Sequence, residues 1–170
     1  MIDSIEASVG DITFVHLSDL HLADPNGERW LGLDTAQKLQ SVLSEIHKLQ
    51  LKPAFFVISG DLVNGPKPEN YEALKTSLAA VEAFGVPVLL GLGNHDDRRF
   101  FRQIILEETA GSPTQTYFYS QIVQGLQIIV LDSKGGTGGT IEIDETQLSW
   151  LAEAIEQLAP NGKIIVLHHP

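Results

Sequence analysis

Apolar and polar positions along this chain follow two periods in alternation. Mainly apolar runs of five or six residues occur at Ile12-Thr13-Phe14-Val15-His16-Leu17, at Ala54-Phe55-Phe56-Val57-Ile58 and at Val86-Pro87-Val88-Leu89-Leu90. Runs of that length predict buried strands. Between them the apolar residues recur every three or four positions. Leu39, Val42, Leu43, Ile46 and Leu49 predict one helix, opened by Asp34 and ended by Lys52-Pro53. Leu74, Leu78, Val81 and Phe84 predict a second, closed by Gly85 in the place a left-handed cap prefers. Strand, helix, strand, helix, strand is the signature of a parallel sheet covered by helices.

The second half is patterned differently. A short helix is expected around 98–108, then strands near 116–121 and 126–131 joined by a Gln124-Gly125 hairpin turn. Asp144 and Gln147 resemble a capping box opening a helix that bears Leu148, Leu151, Ile155 and Leu158. Lys163 to Leu167 reads as a last buried strand, followed by His168-His169-Pro170. No internal repeat or interdomain linker interrupts residues 1–170, which are expected to form a single α/β domain.

Four of the predicted strands end in a polar cluster. The first ends in Asp19 and His21, the second in Gly60-Asp61, the third in Gly93-Asn94-His95-Asp96, the last in His168-His169. In open α/β sheets the active site lies beyond the carboxyl ends of the strands, so parallel strands would gather these four clusters on one edge. An extended Asp-x-His stretch would aim both side chains to one side, because residues two apart share a face.

Composition narrows the chemistry. With no cysteine, the chain has no disulfide and no thiolate ligand, which suits the cytoplasm. Carboxylate, imidazole and amide oxygen without sulfur suit divalent Mn, Fe, Zn or Co. Asp61, between the other clusters, is placed to bridge two such ions, with Asn94 adding a neutral oxygen. The formal charge of −11, from 22 acids against 11 bases, disfavours electrostatic capture of nucleic acid. No apolar run reaches the roughly 18 residues that a membrane span needs.

Taken singly, each cluster has an ordinary explanation. Asp-x-His is common, Gly-Asp after a strand is usually a turn, and Asp96 or Asp97 can cap the next helix. His16 reads as a core histidine and His47 as a surface one. Arg98 is expected to pair with a surface acid rather than touch substrate. The Gly135–Gly139 loop lacks the Lys-Ser/Thr that follows a phosphate-cradling loop. The order of the four clusters, each at a strand end, is what raises the site above these readings.

In that order the blocks Asp19-Leu20-His21, Gly60-Asp61-Leu62-Val63-Asn64, Gly93-Asn94-His95-Asp96 and His168-His169-Pro170 resemble the calcineurin-like metallophosphoesterase superfamily. Leu131-Asp132-Ser133 and Gln147-Leu148-Ser149-Trp150-Leu151 add a likeness to its class III cyclic-nucleotide phosphodiesterase and glycerophosphodiesterase branch. The resemblance runs from about residue 12 to residue 170. It implies a metallophosphoesterase-type β-sandwich flanked by helices. It also implies two divalent metal ions and hydrolysis of a small phosphodiester by an activated water. Phosphomonoester or nucleotide pyrophosphate hydrolysis is the alternative within the class, and an inactive fragment with a structural or regulatory role only is the alternative outside it.

The resemblance likewise implies roles. Asp19 and His21 would hold the first metal, Asp61 both, and Asn94 with His168 the second. His168 is preferred over His169, because the family's histidine stands two residues before the proline. His95 would act near the leaving oxygen, with Asn94 beside it at the substrate. Members of the family continue to a Gly-His-x-His block, whereas no Gly is followed by His here. The resemblance therefore predicts a domain truncated within its second sheet. Alone, residues 1–170 would then be a poor or inactive hydrolase inclined to self-association.

Overall fold

The computed structural model describes residues 11–27, 29–109, 115–134 and 142–168. Two three-stranded sheets face each other. The first has the order β1 (Val15–Leu17), β2 (Phe56–Ser59), β3 (Val88–Gly91), all parallel, and the second has the order β4 (Tyr119–Val123), β5 (Leu126–Val130), β6 (Lys163–Val166). In the second sheet β4 and β5 form an antiparallel hairpin and β6 runs parallel to β5. Helices α1 (Thr35–Lys48) and α2 (Pro68–Glu82) connect the strands of the first sheet; α3 (Arg98–Phe100) and α4 (Glu145–Ala154) follow. Among the described residues no helix is long and apolar enough to cross a membrane.

The pleat of β2 explains the layering. Successive side chains of a strand point to opposite faces. Phe56 and Ile58 therefore pack with Leu39, Leu43 and Ile46 of α1 and with Leu74, Leu78 and Val81 of α2. Phe55 and Val57 turn the other way, onto Val123, Leu126, Ile128, Val130 and Val166 of the second sheet. All four residues of β2 are buried because both faces are covered. Tyr119 locks the layers together: its hydroxyl donates to the Leu90 carbonyl at 3.1 Å and accepts from the Leu90 N–H at 3.0 Å.

Several expectations change. The first and last strands are not buried runs but the outer strands of their sheets, with Phe14, Ile165 and Leu167 substantially exposed. An outer strand has one neighbour and leaves half of its surface uncovered. His16 is accordingly exposed rather than a core residue, its Nε2 meeting the Ser59 hydroxyl at 2.6 Å. His47 does lie on the surface, stacked on Phe84. The helix around 98–108 is α3 continued by a single π-helical turn, Phe101–Ile105.

Helix α4 stops at Ala154, short of the predicted stripe: Leu148 within it and Ile155 and Leu158 beyond it are exposed, and its buried side chain is Gln147. Asp144 accepts the Gln147 N–H as a cap should. The Gln147 amide does not reach back to the cap, however. It brackets Asp132 instead, accepting that residue's N–H at 3.0 Å and donating to its carbonyl at 2.9 Å. Asp132 in turn holds Arg98 through two hydrogen bonds, 2.7 and 2.9 Å long. The acid beside Arg98 is thus fully buried, not a surface group. The glycine loop at 135–140, His169 and the first ten residues lie outside the described residues.

Two local features set the loops that follow. The helix α1 ends at Lys48 and not at Pro53, because Gln50 takes a left-handed conformation, φ 54°. Gln50 N–H donates to the His47 carbonyl and Leu51 N–H to the Ile46 carbonyl, which is the paired closure that usually employs glycine. The second feature is Asp96, whose carboxylate is completely buried. It accepts the N–H groups of Leu62 at 3.0 Å, Val63 at 3.2 Å and Gly93 at 2.8 Å, bolting the loop after β2 to the loop after β3. Burial pushes its carboxyl up to about 7, against the three N–H groups, which favour the anion. The capping role falls to Asp97, which accepts from the N–H groups of Arg99 and Phe100.

Both features make predictions for denaturant unfolding. Gln50→Gly should stabilise the protein by about 0.5–1 kcal/mol, since a left-handed L-residue costs more than the flexibility of glycine. Asp96→Ala strands three buried N–H groups and should cost about 2–4 kcal/mol. An unchanged midpoint in either variant would count against the role given to that residue.

Candidate metal centre

The loops after β1 and β2 run side by side. Asp19 N–H donates to the Gly60 carbonyl, His21 N–H to the Asp61 carbonyl, and Leu22 N–H to the Leu62 carbonyl. This ladder extends the sheet past its last formal strand and carries Asp19 and His21 to Asp61. The side chains do not converge through an extended pleat as the spacing suggested. Asp19, His21 and Asp61 instead all sit in the left-handed region, with φ of 56°, 41° and 48°. Non-glycine residues are rarely found there, and such conformations gather at functional sites where surrounding structure enforces them.

Asp61 is the centre. His21 Nε2 lies 3.6 Å from its Oδ2, and His168 Nε2 lies 3.6 Å from its Oδ1. Each carboxylate oxygen thus faces its own imidazole. Asp19 Oδ1 stands 3.9 Å from His21 Nε2, and the Ser18 hydroxyl donates to the other Asp19 oxygen. His95 donates its backbone N–H to Asp61 Oδ1 at 3.0 Å. Possible ligand atoms fall into two groups, each within 4.8 Å: His21, Asp61 and His95 in one, Asp19, Asp61 and His168 in the other. Asp61 belongs to both. Asn94 is exposed on the loop between Gly93 and His95.

Two glycines make this approach possible. A Cβ on Gly93 would stand 2.3 Å from Asp61 N and from Asp61 Oδ1, and a Cβ on Gly60 would stand 2.5 Å from the His168 ring. Both spaces are filled by the site itself. His168 comes from the second sheet, beyond β6, and not from the edge shared by β1, β2 and β3. The four clusters therefore meet across two sheets, with the sandwich packing aligning the strand ends.

The two imidazoles are prepared differently. His168 Nδ1 donates to the Ser59 carbonyl at 2.8 Å, which leaves Nε2 as the nitrogen with the lone pair toward Asp61. His21 Nδ1 is buried without a hydrogen-bond partner among the described residues. Its ring lies flat against Trp30, with centroids 3.9 Å apart and planes 5° from parallel, and the His95 ring stands edge-on to both. Burial pulls the His21 pKa below its ordinary value, opposed chiefly by Asp61, so the ring is neutral at neutral pH. Trp30, Ser59 and the fastening role of Asp96 went unread in the sequence. Trp30 lies nine residues beyond His21 in a polar loop, where no spacing marks it.

Oxygen and imidazole donors without sulfur, converging on a shared carboxylate, fit divalent cations of the Mn, Fe, Zn or Co type. Lys134 closes the rear of the site, its ammonium donating to the Asp96 carbonyl oxygen.

Known proteins align with this arrangement over most of its length. The chain is 37% identical over 157 residues to a probable cyclic nucleotide phosphodiesterase of Rhodococcus erythropolis, covering 92% of this chain and 51% of that protein. It is 33% identical over 162 residues to a cAMP/cGMP dual specificity phosphodiesterase of Mycobacterium tuberculosis, covering 94% and 50%. The chain thus spans about half the length of these relatives. Among solved structures, a purple acid phosphatase from yellow lupin superposes over 91% of this chain and 30% of its own, with a TM-score of 0.60 and 13% identity, a likeness of fold alone. The family model described as calcineurin-like phosphoesterase matches residues 12–170, and the chain belongs to that family.

Proposed function

We propose that this chain carries the larger part of a two-cation site that hydrolyses small phosphodiesters. The observation behind this reading is Asp61, whose two oxygens each face one imidazole at 3.6 Å. A carboxylate so placed suits a pair of cations better than one. Asp19 and His21 would hold the first cation, His168 and Asn94 the second, and Asp61 both, an assignment that asks Asp19 to turn from the His168 group in which its oxygen now lies toward His21, 3.9 Å away. The cations would neutralise phosphate oxygens and lower the pKa of a water that attacks phosphorus.

The protein's own groups supply the rest. His21, whose pKa burial pulls down, offers a lone pair without first losing a proton, and the Ser59 carbonyl orients the His168 ring with Nε2 toward Asp61. His95 is half-buried, fixed through its backbone to Asp61, with its ring against His21 and Trp30. It serves as the acid that protonates the departing alkoxide. Asn94, exposed beside it, meets the substrate. The names of the relatives point to cyclic nucleotides as the substrate class. A glycerophosphodiester phosphodiesterase of Enterobacter lignolyticus, 27% identical, marks a neighbouring specificity.

The test uses the intact protein carrying this chain, with bis(p-nitrophenyl) phosphate and 3′,5′-cyclic AMP as substrates and Mn²⁺ added. Hydrolysis of both diesters should disappear with exhaustive chelation and return with Mn²⁺. Asp61→Asn should lower kcat/KM at least about 10²-fold and reduce the bound metal at both positions. Activity untouched by chelation would overturn the reading, and hydrolysis confined to monoesters would replace diester with monoester chemistry.

A separate measurement assigns His95. His95→Ala should lower kcat about 10²–10⁴-fold while the metal content stays near that of the parent. The loss should shrink with a nitrophenolate leaving group, which needs little protonation. Loss of metal in this variant would instead make His95 a ligand, in keeping with its closeness to His21 and Asp61.

A further inference from the structure

Ligating histidines almost always donate their second ring nitrogen to an oxygen, which fixes the ring and raises its basicity. His168 follows that rule through the Ser59 carbonyl at 2.8 Å. His21 does not, since its Nδ1 is buried with no hydrogen-bond partner among the described residues. Yet its ring is not loosely held. The Trp30 indole covers it face to face at 3.9 Å, and the edge of His95 closes another side at 4.9 Å. Trp30 itself is only partly buried, on a one-turn helix at Trp30–Gly32 whose next residue, Leu31, is left-handed and 81% exposed. A large aromatic on a polar surface loop, packed onto a site residue and not onto either core cluster, has no evident part in the fold.

We propose that Trp30 is a positioning residue for His21: its ring face does for His21 what the Ser59 carbonyl does for His168, so cation affinity at the His21 end of Asp61 depends on Trp30 and affinity at the His168 end does not. This inference rests on the two-cation reading above. Stacking fixes the plane of the imidazole and excludes water from one face, but supplies no acceptor at Nδ1, so His21 gains none of the added basicity that the Ser59 carbonyl lends His168. The His21 end is therefore the weaker of the two and the one that exchanges its cation more readily.

The test is a Mn²⁺ titration of the intact protein, followed by the loss of free Mn²⁺ signal in electron paramagnetic resonance, for the parent, Trp30→Leu and Trp30→Phe. Two classes of site are expected in the parent. Trp30→Leu should weaken the lower-affinity class about 10–100-fold and leave the other unchanged, while Trp30→Phe, which keeps an aromatic face, should restore most of the loss. A second measurement needs no stability from the Leu variant. In the parent labelled with 5-fluorotryptophan, the Trp30 fluorine resonance, assigned by its absence in Trp30→Phe, should broaden as the weaker site fills. If the parent binds two Mn²⁺ and Trp30→Leu keeps both affinities, or the Trp30 resonance ignores the second equivalent, the inference falls and the two-cation reading stands. If the parent binds no Mn²⁺, both fall together.

Discussion

A single buried carboxylate decides whether the strand-end loops of this protein form a site. Asp96 gathers the N–H groups of Leu62, Val63 and Gly93, and in doing so fixes the distance between the loop that bears Asp61 and the loop that bears His95. Both of its oxygens are engaged by donors, so the anion is the form that the surroundings can accommodate. Burial works in the opposite direction. The balance leaves an acid of unusual basicity between the loop that bears Asp61 and the loop that bears His95.

Around that anchor the site is built from contacts too close for side chains to intervene. Gly93 lets Asp61 fold over it, and Gly60 lets His168 lie against the backbone of the second strand. The left-handed conformations of Asp19, His21 and Asp61 belong to the same economy of space. Such conformations cost of order 1–3 kcal/mol each and persist only where neighbours over-determine them. Here the neighbours are the backbone ladder from Asp19 to Leu22 and the Asp96 anchor.

The sequence made the site more legible than the path to it. Asp19, His21, Asp61, His95 and His168 announce themselves as polar residues at the ends of apolar runs, and the structure brings them together. Helix starts at Asp34 and Asp144 were readable from capping chemistry, as was the turn at Gln124-Gly125. What periodicity could not convey was which strand lies outermost. An apolar run looks the same whether one side or both are covered, so the first and last strands read as buried. Nor does a two-residue spacing tell a pleat from a pair of left-handed residues, since both return the side chain to the same side. Gln147 shows a third limit: its place in a capping pattern disguised an amide that serves Asp132 in a distant loop. Trp30 was invisible because a stacking contact leaves no periodic trace.

The bond between His168 and the Ser59 carbonyl joins residues 109 positions apart. Chains emerge from the ribosome with the N-terminal end first, so the loops holding Asp19, His21, Asp61 and His95 can be in place while β6 is still unsynthesised. Until that strand docks beside β5, one oxygen of Asp61 has no imidazole opposite it. Closing so long a loop is the entropically slow step in assembling the set. The imidazole opposite that oxygen therefore arrives only once the sandwich has closed. A cation held between Asp61 and His168, as proposed, would then act as a clasp on β6, favouring the docked form by mass action. On that reading metal supply and the seating of β6 would be two sides of one equilibrium.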